Sequence, residues 1–162
     1  MRKALAFIML ALAGVALWVM NPQSKADPMA QLVARDCMAR NIYHEARGEP
    51  LAGQLAVAYV VKARMADKRW RGDVCKVVFQ KAQFSWTLQK HLRTADTRSW
   101  QQAEAVAEAA LGQSWGMMRV YYILQQLRIE GANHYHRDDI APKWRKRMTP
   151  LATIGRHIFY RG

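Results

Sequence analysis

The sequence predicts a single α+β domain that is mostly helical and carries a small β element. Apolar residues recur at helical spacing through most of the chain after residue 26, whereas β-like segments occur only as short pieces after residue 131. The length of 162 residues points to one domain, and the sequence contains no internal repeat or interdomain linker.

The first 26 residues are excluded from this domain. Two basic residues follow the initial methionine, residues 4–20 are apolar without a charge, and Ser24-Lys25-Ala26 places small residues where signal peptidase reads the chain. We expect residues 1–26 to be a cleaved signal peptide or an uncleaved signal anchor, because the apolar run is near the lower limit for a bilayer span. Either a signal peptide or a signal anchor predicts an exported domain, residues 27–162, in the periplasm or cell envelope. An uncleaved anchor would also hold this domain at the inner membrane.

Two helices that meet at a tight corner are predicted at the start of this domain. Asp27 is suited to cap a helix over residues 28–46, and Gly48 can end that helix in the left-handed conformation. Pro50 then begins a second helix over residues 50–65. This arrangement places Glu45 in the last turn of the first helix, at the inner edge of the corner.

Two further helices are predicted in the middle of the chain. Asp73 is positioned to cap a short one. Ser99, with Gln102 three residues later, resembles a capping box that begins an alanine-rich helix ending at Gly112.

The rest of the chain is predicted to contain one more helix and the β element. Residues 113–130 suit an amphipathic helix that ends at Gly131. Residues 132–136 and 158–160 are the β-like pieces.

The charge of the chain is strongly positive. It contains 25 Lys and Arg residues against 12 Asp and Glu residues, a formal net charge of +13. Such a chain attracts polyanions, which include nucleic acid, anionic lipid and the bacterial wall. Export argues against nucleic acid as the partner. The alternative is that the excess charge only aids solubility.

Glu45 is the first candidate for acid–base chemistry. Cleavage of a glycosidic bond requires a proton for the leaving oxygen, and a carboxyl group in a partly apolar cleft keeps its proton near neutral pH. The C-terminal end of a helix also disfavours added negative charge. The alternative is a solvated surface charge. Glu49 is the rival carboxylate, but beside Pro50 it is better interpreted as a favourable charge in the first turn of the second helix.

The histidines near the end of the chain are candidates for metal binding. His134 and His136 would share one face of a strand, and with Asp138 or His157 they would make the metal site of a zinc amidase or peptidase. The alternative is a hydrogen-bonding and stacking surface.

Four aromatic side chains are candidates for stacking on sugar rings, with a place in the core as the alternative for each of them. They are Phe84, Trp86, Tyr135 and Trp144.

The chain contains two cysteines, Cys37 and Cys75. In an oxidising compartment an even pair suggests one disulfide, with two free thiols as the alternative. The loop that it closes would stabilise the fold by roughly 3–4 kcal/mol.

Four blocks of the sequence, in order, resemble the SleB/CwlJ-type cell-wall hydrolase family. They are Glu45-Ala46-Arg47-Gly48-Glu49-Pro50 with Gly53-Gln54 and Ala56-Val57-Ala58; Val74-Cys75 with Val77-Val78, Gln80 and Gln83-Phe84-Ser85; Ala132-Asn133-His134-Tyr135-His136 with Pro142 and Trp144; and Ile154-Gly155-Arg156-His157-Ile158-Phe159-Tyr160. The resemblance covers the chain from about Cys37 to its C-terminus.

The resemblance implies a lysozyme-like, lytic-transglycosylase-like fold that acts on the glycan strands of peptidoglycan, with Glu45 as the catalytic residue. One glutamate acts first as acid and then as base while the C6 hydroxyl of muramic acid attacks, so neither a second carboxylate nor a metal or other cofactor is required. Envelope members of the family carry a cysteine pair at similar positions, which supports the disulfide. The expected substrate-binding residues are Gln83, Phe84, Ser85, Trp86, His134, Tyr135, His136 and Trp144.

The sequence departs from the family pattern at two places. Lys62-Ala63-Arg64 stands where members usually have Asn-Arg, and residues 115–130 are longer and more apolar than the usual link.

Several alternatives remain open at this level. If water is the nucleophile, Asp96, Asp138 and Asp139 are candidate second carboxylates. The alternative functions for the chain are a metal-dependent N-acetylmuramoyl-L-alanine amidase, a phage endolysin with the same glycan-cleaving activity, and a non-catalytic module that binds the wall or a membrane. We expect peptidoglycan as the partner of a monomer that touches the inner membrane only through its leader.

Overall fold

The structure is a computed structural model that describes residues 27–70, 72–89, 92–112 and 123–162. The proposed leader, residues 1–26, lies outside the described residues. Within the described ranges no helix is long and apolar enough to cross a membrane. The chain divides into two compact units, residues 1–31 and 32–162. In the first unit, Asp27 accepts a hydrogen bond from the Met29 amide at 3.0 Å, as expected of a cap.

Four helices are bounded by described residues, and the domain is mostly helical as the sequence predicts. They are α1 (Pro28–Ala46), α2 (Leu51–Ala66), α3 (Val74–Val78) and α4 (Thr97–Ala110). The bounds of the first two agree with the prediction. The predicted cap of α3 is also present, since the Asp73 carboxylate accepts from the Lys76 amide at 2.9 Å.

The predicted tight corner between α1 and α2 forms without the left-handed glycine that was expected. Gly48 does not have the positive φ expected of a left-handed helix end. Instead the Glu49 amide donates to the Ala46 carbonyl at 2.9 Å, and the chain passes directly into Pro50, which caps α2 with φ −55°. A single hydrogen-bonded turn joins the two helices, so no residue between them has to adopt the left-handed conformation.

The N-cap of α4 is Asp96, and the predicted capping role of Ser99 is wrong. The Asp96 carboxylate accepts from the Ser99 amide at 3.1 Å and from the Ser99 hydroxyl at 2.6 Å. A carboxylate is a stronger acceptor for free amide groups at a helix start than a hydroxyl group, so the helix begins earlier.

The amphipathic helix predicted for residues 113–130 is described only in part, because residues 113–122 lie outside the described ranges. Residues 123–126 are helical, and Arg128 has φ +51°. The helix therefore ends before the predicted stop at Gly131, because a left-handed residue cannot continue it.

The β element is an antiparallel sheet with strand order β1-β3-β2, where β1 is His134–Arg137, β2 is Thr149–Ile154 and β3 is His157–Arg161. In its register Tyr135 lies opposite Phe159. The strands β1 and β3 correspond to the two predicted pieces. Strand β2, which forms a hairpin with β3 through Gly155, is not among the predicted pieces.

Buried apolar side chains form two clusters. One packs α1, α2, α3 and α4 together, and the other packs α2 against the sheet around Phe159. The predicted disulfide is confirmed: Cys37 of α1 is bonded to Cys75 of α3, with a Cα–Cα distance of 5.3 Å.

We predict that replacing both cysteines with alanine lowers the free energy of unfolding by about 3–4 kcal/mol, because the bond closes a long loop in the unfolded chain. Urea denaturation of both proteins measures the difference. A reductant should destabilise the natural protein alone, and an equal response of the cysteine-free variant would contradict the assignment.

Candidate active site

The corner between α1 and α2 opens onto a cavity of about 720 Å³. Its lining comes from the end of α1, the end of α2, the segment after α3, strand β1 and the turn that precedes β2. The lining includes Glu45, Gln83, Phe84, Ser85, Trp86, Tyr135, His136 and Trp144. The fold therefore brings eight of the nine predicted catalytic and substrate-binding residues to one cavity.

The Glu45 carboxyl group lies in the last turn of α1, where it is partly buried and faces the cavity. Its Oε2 atom accepts a hydrogen bond from the Tyr135 hydroxyl at 3.1 Å. Burial raises the pKa of Glu45 above its ordinary value, while the Tyr135 hydroxyl and the Arg64 charge act in the opposite direction. Burial also holds the pKa of Tyr135 well above its usual value, so this hydroxyl remains a donor.

Arg64 lines the cavity but was not predicted as a site residue, since in the sequence it belongs to a departure from the family pattern. It is 5% exposed, and its Nε atom donates to the Asn133 carbonyl at 2.9 Å. Its guanidinium carbon lies 5.3 Å from the centre of the Trp70 ring and 5.1 Å from that of Phe84. The spacing of Val57, Val60 and Arg64 along α2 was a usable signal, since it places the arginine on the buried face.

Glu49 does not act as a first-turn charge of α2, and that interpretation is corrected. Its Oε2 atom accepts from the Arg156 amide at 2.9 Å, and its Oε1 atom lies 3.8 Å from Nδ1 of the buried His157. The His157 ring packs edge-on against Tyr135, with 5.1 Å between ring centres. Burial lowers the pKa of His157, against the opposing effect of Glu49. Glu49 and His157 thus connect the helix corner to Tyr135, through a close approach of charge to ring nitrogen and then a ring contact.

The predicted stacking residues divide into buried and accessible ones. Phe84 is 3% exposed and supports the Arg64 guanidinium, so its ring belongs to the core. Trp86 is 9% exposed, donates to the Asn41 side chain at 3.2 Å and stacks on His44. Trp144 is partly exposed and lines the cavity, so it offers the more accessible ring.

Polar side chains of the second block have definite places. The Gln83 side-chain oxygen accepts from the Trp70 indole at 2.9 Å, which fixes its orientation in the cavity wall. Ser85 is exposed at the start of a 3-10 turn.

The three histidines of the metal hypothesis make other contacts. His136 contacts the Arg137 carbonyl and the Tyr160 hydroxyl through its two ring nitrogens, at 2.7 and 3.0 Å. His134 does not line the cavity: it packs against Trp144 and, in part through burial and the Arg64 charge, has a pKa of about 4. His157 packs with Tyr135 instead. Among the described residues no three His, Cys, Asp or Glu side chains are grouped to hold a metal ion.

The candidate second carboxylates have other partners. Asp96 caps α4, and Asp138 and Asp139 accept from the Arg156 guanidinium at 3.1 and 3.3 Å. Glu45 is the one carboxylate among the described residues that line the cavity.

A test of the Glu49 contact is available at Gly155, which has φ +56°. A Cβ atom there would collide with the Glu49 carboxylate. We predict that Gly155→Ala lowers the free energy of unfolding by about 2 kcal/mol or more. Gly48→Ala is the matched control, since nothing lies within 4 Å of its added Cβ atom. Urea denaturation compares the two, and equal effects would contradict the placement of Glu49.

Residues 48–160 match the family model described as cell wall hydrolase. The match includes α2 and all three strands and begins three residues after Glu45.

The spore cortex-lytic enzyme of Halalkalibacterium halodurans is 31% identical over 124 residues, which cover 75% of this chain and 33% of that enzyme. The spore cortex-lytic enzyme of Oceanobacillus iheyensis is 29% identical over 127 residues, covering 75% of this chain and 39% of that enzyme. The chain therefore aligns with well under half the length of these curated relatives.

Two solved structures share the fold. The catalytic domain of the Bacillus cereus SleB protein is 26% identical and superimposes with a TM-score of 0.59, covering 79% of this chain and 89% of that domain. The catalytic domain of the germination-specific lytic transglycosylase SleB from Bacillus anthracis, 23% identical, superimposes with a TM-score of 0.57 over 86% of this chain and 99% of that one. The architecture is thus lysozyme-like, as expected. The family model matches residues 48–160, which make up most of this chain, so the chain belongs to the cell wall hydrolase family.

Proposed function

We propose that this chain is an exported enzyme that cleaves the glycan strand of peptidoglycan as a lytic transglycosylase, with Glu45 as its catalytic acid and base. The observation that carries the proposal is the partly buried Glu45 carboxyl group in a cavity to which the described residues contribute no second carboxylate. The family match, the spore cortex-lytic relatives and the Bacillus cereus SleB domain support peptidoglycan as the substrate.

The proposed reaction begins with protonated Glu45. Its proton passes to the glycosidic oxygen as the bond from that oxygen to C1 of the muramic acid residue breaks. The C6 hydroxyl of the same sugar then bonds to C1 and gives its proton to the Glu45 carboxylate. The products are a 1,6-anhydro end and a free hydroxyl group, and Glu45 is protonated again.

The surroundings of Glu45 suit both halves of this cycle. Burial favours the protonated form that starts the reaction, whereas the Tyr135 hydroxyl and the nearby Arg64 charge stabilise the carboxylate formed midway. Substrate contacts by Gln83, Ser85 and Trp144 remain predictions, supported by their place in the cavity wall. Residues 1–26 as leader, and the envelope location that follows, also remain predictions.

We predict that Glu45→Gln lowers the rate of glycan cleavage by about 100-fold or more, because an amide cannot exchange the proton. Mass spectrometry of digested peptidoglycan should show 1,6-anhydro products with the natural protein and almost none with the variant. Glu130→Gln, a change at an exposed glutamate, is the matched control. New reducing ends among the products would show that the enzyme is a hydrolase and not a transglycosylase. Full activity of Glu45→Gln would show that Glu45 is not the catalytic residue.

We predict that Tyr135→Phe shifts the alkaline limb of the pH–rate profile to higher pH. The hydroxyl group lowers the pKa of Glu45, so its removal lets that pKa rise, and the acid stays protonated further into the alkaline range. Tyr59→Phe is the control, since the Tyr59 hydroxyl accepts from the Gly131 amide at 3.1 Å. A shift to lower pH in Tyr135→Phe would show that the hydroxyl does not stabilise the carboxylate.

A further inference from the structure

The turn that carries Trp144 has a high density of positive charge. Residues 143–147, which we call the cationic turn, are Lys-Trp-Arg-Lys-Arg, and all four basic side chains are exposed. None of them forms an ion pair with an acidic side chain in the described part of the chain. In the preceding loop, by contrast, Asp138 and Asp139 pair with Arg156 and Arg137.

The cationic turn lies at the edge of the Glu45 cavity. Pro142 and Trp144, which flank its first lysine, both line that cavity. The Trp144 ring is turned toward the sheet, with 5.5 Å between its centre and that of His136 and 5.6 Å to that of Tyr160. The basic side chains of the same turn project into solvent.

A further exposed cation borders the cavity. Arg47 lines it at the end of α1, where its guanidinium carbon lies 5.0 Å from the centre of the Tyr43 ring. It has no acidic partner among the described ion pairs. Exposed positive charge at a cleft attracts an anionic ligand and raises its local concentration.

We propose that the cationic turn is a second peptidoglycan subsite, which binds the carboxylates of the stem peptides that project from the glycan strand. This inference rests on the proposed function. The N-acetylated sugars of the strand are neutral, whereas each stem peptide carries free carboxylates and is attached to the strand through the lactyl group of muramic acid. A strand held in the Glu45 cavity therefore directs its peptides toward the cavity edge.

An anionic membrane is the competing partner for a basic patch, and the geometry favours the peptide. Stable attachment to a membrane surface combines basic side chains with apolar ones that enter the lipid. The aromatic residue of the cationic turn is instead packed inward against the His136 and Tyr160 rings.

The test measures binding in the Glu45→Gln background, so that cleavage does not remove the ligand. The four basic residues of the cationic turn are replaced with glutamine. The matched control replaces four exposed basic residues that do not line the cavity, Lys68, Arg98, Arg128 and Arg161. Both variants lose the same charge, and circular dichroism verifies that both are folded.

For intact peptidoglycan at about 0.1 M salt, we expect neutralisation of the cationic turn to weaken binding about tenfold, and the control substitutions to weaken it less than about threefold. Oligomers of N-acetylglucosamine, which carry no carboxylate, should bind both variants equally. If neutralisation of the cationic turn weakens binding to these neutral oligomers as much as binding to intact peptidoglycan, or if the two sets of substitutions have equal effects on intact peptidoglycan, the proposal is overturned.

Binding to vesicles of phosphatidylglycerol and phosphatidylethanolamine tests the membrane alternative with the same two variants. Tight vesicle binding that depends on the cationic turn, without a change in peptidoglycan binding, would assign the turn to a membrane and overturn the stem-peptide subsite. Binding and cleavage are read separately. If the natural protein releases no anhydro products but the variants show the expected binding pattern, the proposed activity is wrong and the subsite is still supported.

Discussion

A carboxyl group placed at the C-terminal end of a helix and removed from water resists ionisation, and the structure around Glu45 follows from that constraint. Loss of hydration and the helix dipole both favour the protonated acid. A residue that must also exist briefly as a carboxylate therefore needs stabilising groups that are already in place. The Tyr135 hydroxyl contacts it directly, and the Arg64 charge lies nearby. Three elements, α1, α2 and β1, must meet at one point to provide this arrangement.

The sheet and the helix corner hold that meeting point together. Strand β1 is paired with β3, so Phe159 in the core sets the position of Tyr135. Arg64 adds a second connection, because it donates to the backbone at the residue that precedes β1. Glu49 completes the arrangement by binding the turn between β2 and β3 and lying beside His157. Backbone pairing and buried polar contacts thus position the Tyr135 hydroxyl, and such support is what an acid–base site requires.

Local chemistry explains which parts were predictable from the sequence. The bounds of α1 and α2, the Asp73 cap and the placement of Glu45 at the corner depend on neighbours a few residues apart. Strand β2 was missed because it contains Pro150 and acquires its structure from pairing with β3. The role of Arg64 was also missed, since its partners lie at the residue before β1 and in the segment after α3. The disulfide was inferred from the cysteine count, the predicted export and the family resemblance, while its geometry required the folded chain.

The pKa of Glu45 in the free protein is the most direct test of this account. Carboxyl-selective carbon NMR on protein labelled at glutamate can follow that group through a pH titration, with the Glu45→Gln variant identifying its resonance. The account predicts a midpoint above the ordinary glutamate pKa of about 4.3. A midpoint at or below that value would mean that the site holds an ionised carboxylate, and Glu45 would not be the proton donor.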